Sequence, residues 1–521
     1  MPQYAFQEKT ILLRESDDVA VARSPLSAND ELEGAGHSLK LSSDTAAGHK
    51  IALHDIKVGD PIHKFGQIIG YASSNISKGD WVHNHNLHNG TVSLNYEVGV
   101  DLRKPTPLSA AEAARTFPGY SRPDGRVGTR NYVSLVSTVN CSASTVSMVV
   151  DKLRREALQD FPNVDDIVGV THKTGCGMAN SGPGYLALQR CLAGMADHPN
   201  VGASLIIGLG CEVNQALSMI QDQALISPQS IRAHKPSPPP ILSIQQAGGV
   251  QKTVQAAFDY SLKLLKMANE CKRTPQSIGG IVVGTNCGGS DGNSGITANP
   301  ALGIAGDELI RYGGGWLIAE TSETYGAEHL LTRRAVSKEV ADKLVSLMRW
   351  WEEYTAMHGA EIDNNPAPGN KAGGLTTIFE KSLGAVAKSG SMPLEAVYDY
   401  AERIRHKGFT FMDTPGLDPV SVTGLVAGGC NLVAFTTGRG SCLGFKPSPV
   451  LKIATNSPLY ERMTDDMDID AGVILNGVSI ETVAMQIFEE LVEVAGGKKT
   501  KSEAQGLGDH EFAPWPLGAV L

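Results

Sequence analysis

Short apolar segments alternating with long helical patterns constrain this chain more than any other feature. VSLVST (133–138), DIVGVTH (166–172), SLIIGLG (204–210), ILSI (241–244) and GIVVG (280–284) are separated by stretches such as VVDKLRREAL and TVQAAFDYSLKLLKMA. Strands that alternate with helical patterns in this way predict an α/β fold, a parallel sheet with helices on its faces. The pattern resumes at GWLIAE (315–320), NLVAFTT (431–437) and VLKIAT (450–455), and no short-period repeat runs through it. At 521 residues the chain is too long for one ordinary core, so several domains are expected.

The first 90 residues read differently. Short alternating strands (ILLRESDDVAVAR, HKIALHDI, GQIIGYA, GDWVHNHN) are broken by Gly and Asp turns, with no long helical pattern, and predict a small all-β domain at 1–90. A Pro-, Ser- and Gly-rich stretch follows and reads as a linker over 91–125. Two α/β parts remain, 126–275 and 276–521. A net charge of −10 and the lack of any basic stripe argue against a nucleic-acid partner. The longest apolar runs, such as ASLIIGLG (203–210), are far too short to span a bilayer, and MPQYAFQEKTILL has no signal-peptide pattern. The expectation is a cytoplasmic protein without membrane contact. Eight scattered cysteines show no disulfide framework and read as free thiols, ligands or nucleophiles.

Three strands end alike. DIVGVTH runs into KTGCGMANSG, SLIIGLG into CEVNQ and GIVVG into TNCGGSDGN, so each delivers a cysteine to the loop at its carboxyl end: Cys176, Cys211 and Cys287. One such cysteine alone is commonly a small buried hydrophobe. Three in the same topological position suggest a shared site of soft-metal ligands, or an iron–sulfur cluster with one open coordination position. The third loop, GTNCGGSDGNSGITANP (284–300), holds five glycines in seventeen positions, and an open α/β sheet binds its ligands at such strand ends. Harder donors surround them: His172, Glu212, Asp291, Glu320 and Glu323, a mixture that suits iron(II) or manganese(II). The blander alternatives are a core histidine for His172 and a helix N-terminal carboxylate for Glu320.

Two more loops stand out. NNPAPGNKAGG (364–374) carries Lys371 and Asn370, and FTTGRGSCLG (435–444) presents Arg439 between glycines. A guanidinium there can meet a carboxylate with two parallel hydrogen bonds, or can simply be solvated. GLGCEVN lacks the third glycine of a dinucleotide fingerprint, so NAD is not expected. A metal, an anion clamp and many amide donors suit a small acidic substrate and α-proton removal from a hydroxy acid.

The chain resembles the altronate/galactarate dehydratase family of sugar-acid hydro-lyases. The resemblance rests on GHKIALHDI, IIGYA and WVHNHN (48–86), GRVGTRN (125–131), GCGMA (175–179), IGLGCE (207–212), CGGSDGNSGITANP (287–300), PAPGNKAGG (366–374) and FTTGRG (435–440). It implies an N-terminal β-clip (SAF-like) domain, a second domain that mediates homodimerisation and a Rossmann-like C-terminal domain. It also implies dehydration of a hexonate or hexarate with iron(II) or a similar ion, and no nicotinamide; some relatives with a split N-terminal piece remove sulfite instead of water. WVHNHNL and NKAGGLTTIFEKSLG look more like the altronate branch, which gives 2-keto-3-deoxygluconate. KTGCGMANSGPG is nearer the galactarate type, which gives 5-keto-4-deoxyglucarate. A non-catalytic sugar-acid sensor is disfavoured, because the cysteine loops and the Arg439 loop are intact. The expected site has His172, Glu320 and Lys371 in catalytic roles. Arg439, Asn299, Asn370 and Ser290 are expected to hold the substrate, and Cys287, Asp291, Cys176 and Cys211 the metal. The histidines His83, His85 and His88 put the N-terminal domain forward either as a lid beside a flexible linker or as a purely structural appendage whose histidines face solvent.

Overall fold

The computed structural model describes residues 3–223 and 238–518. The N-terminal domain is all-β. Thr10–Ile11, Val19–Ala22, Lys50–Ala52 and Trp81–Val82 form an antiparallel sheet, and Pro61–Lys64, Gln67–Ala72 and Leu87–His88 form a second one. This domain is not a loosely tethered lid. Its Val19, Ile62, Ile69 and Val82 belong to the same buried cluster as Ala298, Leu302 and Trp316 of the C-terminal domain. Burial of that kind is the dominant force holding two domains together.

The stretch expected as a linker is only partly one. Ala110–Ala113 is a helical turn closed by a capping box between Ser109 and Glu112. Thr116–Ser121 is a strand that pairs antiparallel with Thr274–Ser277 and with Val127–Gly128. This pairing ties the segment to both α/β parts. The sequence does not announce it, because TFPGYS, with its proline and glycine, carries turn signals although it is the middle strand of three.

The second part has four parallel strands in the order Ile167–Val170, Tyr132–Ser137, Val201–Gly208, Ile241–Ser243. Asn140–Glu156 and Val250–Glu270 pack their apolar stripes on one face, and Pro183–Ala196 covers the other.

Seven parallel strands make the C-terminal sheet, in the order Leu394–Tyr398, Gly408–Met412, Gly315–Ile318, Val282–Cys287, Leu432–Thr437, Val450–Ala454, Ile469–Asp470. From Val282–Cys287 the chain first builds outward on one side and later returns to add Leu432–Thr437 on the other. The loops leaving these two strands therefore diverge, and a crevice opens between them. Mixed α/β content with parallel sheets is thus as expected. Leu394–Tyr398, Gly408–Met412 and Ile469–Asp470 were not anticipated. No helix among the described residues is long and apolar enough to cross a membrane.

Candidate active site

Cys287 ends the strand Val282–Cys287, and its loop crosses the crevice before the helix Ala298–Arg311. The loop needs its glycines. A Cβ at Gly288 would lie 2.2 Å from the Asp418 carboxylate, and one at Gly292 would lie 2.1 Å from the Gly48 carbonyl of the N-terminal domain. Both are closer than any side chain tolerates, so close backbone approach is why this stretch is glycine-rich.

Around Cys287 lies a buried set of charges. Glu320 follows the strand Gly315–Ile318 with φ at +67°, a left-handed conformation a glutamate holds only when its surroundings force it. Its Oε2 accepts from the Cys287 N–H at 3.0 Å and from the Lys388 ammonium at 2.8 Å, and the same ammonium donates to Cys287 Sγ at 2.9 Å. Glu323 accepts from Lys381 at 2.6 Å and from Asn365 at 2.7 Å, and its other oxygen takes the Cys287 thiol at 3.6 Å. Asp418, first residue of Asp418–Gly428, accepts from Asn286 Nδ2 at 2.9 Å. Lys381 comes from the helix Ile378–Val386 and Lys388 from the turn after it.

Burial governs the proton affinities. It pushes Glu320 up to about 7, with Lys388 opposing and Glu323 and Asp418 adding like charge. Asp418 is held at about 6 by burial and by Glu323. The Cys287 thiol is pushed up to about 12 by burial and by Glu320, against Lys388. Burial alone would discharge Lys388, but Cys287 and Glu320 overcome it and keep the ammonium charged.

Cys287, Glu320 and Glu323 each offer a ligand atom, and those atoms lie within 4.8 Å of one another. Two buried polar atoms beside them lack any partner, Glu320 Oε1 and Ser290 Oγ. A narrow cavity, with room for about one water in its 10 Å³, is lined by Cys287, Ser290, Asp291 and Lys381 together with Lys64 and Phe65 of the N-terminal domain. Beneath it, Glu380 accepts from Lys50 and Lys64 at 2.8 Å each, all three being fully buried.

Several expectations need correction. Asp291 does not face the three ligand atoms; Thr455, Ser294, the Asn293 N–H and Asn456 all donate to its carboxylate, which makes it the anchor of its loop. Asn299 lines the cavity as expected, while donating to Gly384 O and accepting from Thr436; Asn370 lies outside the lining, donating to Ser290 O and accepting from the Ala367 N–H, and holds loop structure. His172 sits in the second domain. There Nε2 meets Ser137 O at 3.1 Å, Nδ1 accepts from Thr174, and burial pulls the ring down to about 4. It is the core histidine, placed to hold the Cys176 loop. Cys176 and Cys211 are exposed on that domain and are not gathered with Cys287. Lys371 lies outside the cavity lining, where Lys381 serves instead. Arg439 is exposed beside Gly289, whose carbonyl accepts from its backbone N–H at 2.9 Å. Ser290 lies in GGSDG, a GxSxG spelling, yet no group contacts its hydroxyl, so it lacks the base of a nucleophile elbow.

Lys381, Lys388 and Asp418 escaped the sequence reading. They stand on helices about a hundred residues beyond Cys287, and no local motif marks them.

Carboxylates, a thiol and ammonium groups shut away together at the carboxyl end of a parallel sheet define an enzyme that works by proton transfer and charge stabilisation. Comparison with known proteins says which. Residues 8–90 match the altronate/galactarate dehydratase SAF domain, 119–269 the D-galactarate dehydratase/altronate hydrolase second domain, and 278–520 the D-galactarate/altronate dehydratase C-terminal domain. Altronate dehydratase of Escherichia coli K12 is 35% identical over 97% of this chain and 98% of its own length. Altronate dehydratase of Bacillus subtilis 168 is 33% identical over 98% and 99%, and galactarate dehydratase (L-threo-forming) of E. coli K12 is 36% identical over 97% of each. The chain belongs to the altronate/galactarate dehydratase family and is a hydro-lyase.

Proposed function

We propose that this enzyme dehydrates a six-carbon sugar acid, altronate to 2-keto-3-deoxygluconate, with a divalent metal ion. The observation that carries the reading is the convergence of Cys287, Glu320 and Glu323 beside an unpartnered Glu320 oxygen, with Cys287 opening onto a narrow cavity that Lys64 and Lys381 also line. The donor set fits Fe2+ or Mn2+: two carboxylates and a thiol, with Glu320 Oε1 free for a bond. Such an ion polarises the substrate's carboxylate and hydroxyl and stabilises enediolate charge.

This chain's own side chains do the rest. Asp418, held at about 6, is ionised at neutral pH yet basic enough to take the proton α to the carboxylate and, once protonated, to return it to the β-hydroxyl, which leaves as water and gives the enol that tautomerises to the keto acid. Asn286 fixes one of its oxygens and leaves the other over Gly288. Lys381 and Lys388 supply positive charge where the enediolate develops, and Ser290 offers a free hydroxyl to the substrate. Arg439, at the rim, is assigned the substrate carboxylate.

The strand order of the C-terminal sheet supports a Rossmann-like description. Met148 and Val250, exposed on the two helices that cover one face of the second domain, support a homodimer formed there. Eight unpaired cysteines suit the reducing cytoplasm. The test is keto-acid formation from altronate and, separately, from galactarate, under anaerobic conditions with iron supplied. Turnover of galactarate alone overturns the substrate assignment, and turnover of neither overturns the function.

A further inference from the structure

The second domain holds a cluster of thiols that the site above does not use. Its first three strands each hand a cysteine to the same edge of the sheet: Cys141 after Tyr132–Ser137, Cys176 after Ile167–Val170 and Cys211 after Val201–Gly208. The sequence pattern had grouped Cys176 and Cys211 with Cys287, but topology replaces Cys287 by Cys141.

The three loops are bonded into one unit. Asn140 N–H donates to Thr174 O at 2.9 Å, and the N–H groups of Val213 and Asn214 both donate to Gly175 O, at 3.0 and 3.1 Å. Asn214 Nδ2 donates to Thr138 O at 3.0 Å, and Thr138 Oγ1 donates to Glu212 at 2.6 Å. Gly175 packs so tightly that a Cβ there would lie 2.4 Å from Thr138 O. His172 joins the Cys176 loop to the first strand through Ser137 O and Thr174. Three flexible turns are thereby fixed relative to one another, although all three thiols are exposed. Exposed thiols gain nothing from burial, so packing does not explain why they stand there.

We propose that Cys141, Cys176 and Cys211 are the thiolate ligands of an iron–sulfur cluster. A single ion is a poor occupant, because the one group of three or more ligand atoms close enough for it, among the described residues, is that of Cys287. A cubane spaces its thiolates more widely than one ion does, and three protein thiolates leave its remaining iron open to an oxygen ligand. The surroundings suit an anionic cluster. Gln245 Nε2 donates to Cys211 Sγ at 3.3 Å, the kind of supporting bond that tunes a sulfur ligand. The helix Asn140–Glu156 begins at this edge, with Cys141 in its first turn, so its positive end lies beside the thiols.

The test is anaerobic reconstitution of the full chain with iron and sulfide, followed by iron and acid-labile sulfide assays, visible absorption and Mössbauer spectra. About four sulfides per chain are expected in the wild type, with about four irons beyond any held at the Cys287 site. Cys141→Ser, Cys176→Ser and Cys211→Ser should each lose the sulfide and the visible band while keeping the native circular dichroism. Cys442→Ser, an exposed cysteine of the C-terminal domain, should keep both. Iron without labile sulfide, a disulfide between two of the three thiols, or sulfide lost in Cys287→Ser and retained in Cys141→Ser each overturns the proposal. Sulfide content is independent of the substrate, so this result and the dehydratase reading stand or fall separately.

Discussion

Lys50 of the N-terminal domain and Glu380 of the C-terminal domain form an ion pair 2.8 Å long with neither side chain exposed to water. Lys64 completes the group from the neighbouring hairpin, and Lys50 also donates to Gly374 O at 2.7 Å. The domain that sequence suggests as a lid is therefore fastened to the wall of the cavity it lines.

That fastening is expected to dominate the acid stability of the protein. Burial alone would raise Glu380, but Lys50 and Lys64 overcome it and hold the carboxyl well below the ordinary range. A depressed carboxyl adds stability that is complete above its unfolded value and is lost as pH falls through that range. Glu380→Gln leaves two buried ammoniums unpaired, which costs about 3–5 kcal/mol. Thermal melts of wild type and variant should differ strongly at neutral pH and converge on acidification. Equal melting temperatures at neutrality would sink the idea.

Metal titration is expected to separate the residues around Cys287 by role. Glu323→Gln and Cys287→Ser should lose Fe2+ or Mn2+ affinity by more than the roughly 10–100-fold that removal of a supporting group costs. Asp291→Asn should bind metal normally but melt earlier, because its carboxylate holds Thr455, Ser294 and Asn456 in place. Titration calorimetry on chelator-treated protein checks both. Metal loss in Asp291→Asn with retention in Glu323→Gln would reverse the assignment.

Asp418 supplies the pH dependence. As a base it must be ionised, so kcat should climb through a pH of about 6 and level off above it. Asp418→Asn should lower kcat by about 10²–10⁴-fold with little change in KM and should abolish that limb. A variant with wild-type kcat would mean that another group takes the proton.

How much of this was legible depends on distance along the chain. The Cys287 loop declares itself, because its glycines, its polar residues and the strand before it are contiguous. The paired role of Glu320 follows once Gly315–Ile318 is seen to lie beside Val282–Cys287. Lys381 and Lys388 do not declare themselves: on sequence the helix Ile378–Val386 is an ordinary apolar helix with two lysines near it. Asn370 misled because a polar side chain in a binding loop looks the same whether it meets a ligand or a carbonyl of its own chain. Cys141 went unnoticed for the opposite reason. It lies inside a helix, without flanking glycines, and only the sheet order brings it beside Cys176 and Cys211.

Arg439 remains the residue whose role a kinetic measurement decides most directly. The N–H groups of Gly438 and Arg439 both donate to Gly289 O, at 3.1 and 2.9 Å, so the backbone of its turn is fixed to the Cys287 loop. The guanidinium itself is exposed, on a turn bonded to the loop of a site whose family acts on anionic sugar acids. Lysine in its place keeps the charge and loses the planar fork, so about 1.5–3 kcal/mol of charge-assisted bonding is at stake. That corresponds to a rise in KM of roughly tenfold or more, with kcat nearly unchanged because the carboxylate is held alike in ground and transition states. Arg439→Ala should raise KM further, and high salt should not mimic either substitution, since screening weakens charge but leaves fork geometry untouched. A wild-type KM in Arg439→Lys together with a raised KM in Arg439→Ala would show that charge alone acts there; a wild-type KM in both would return Arg439 to the solvated surface.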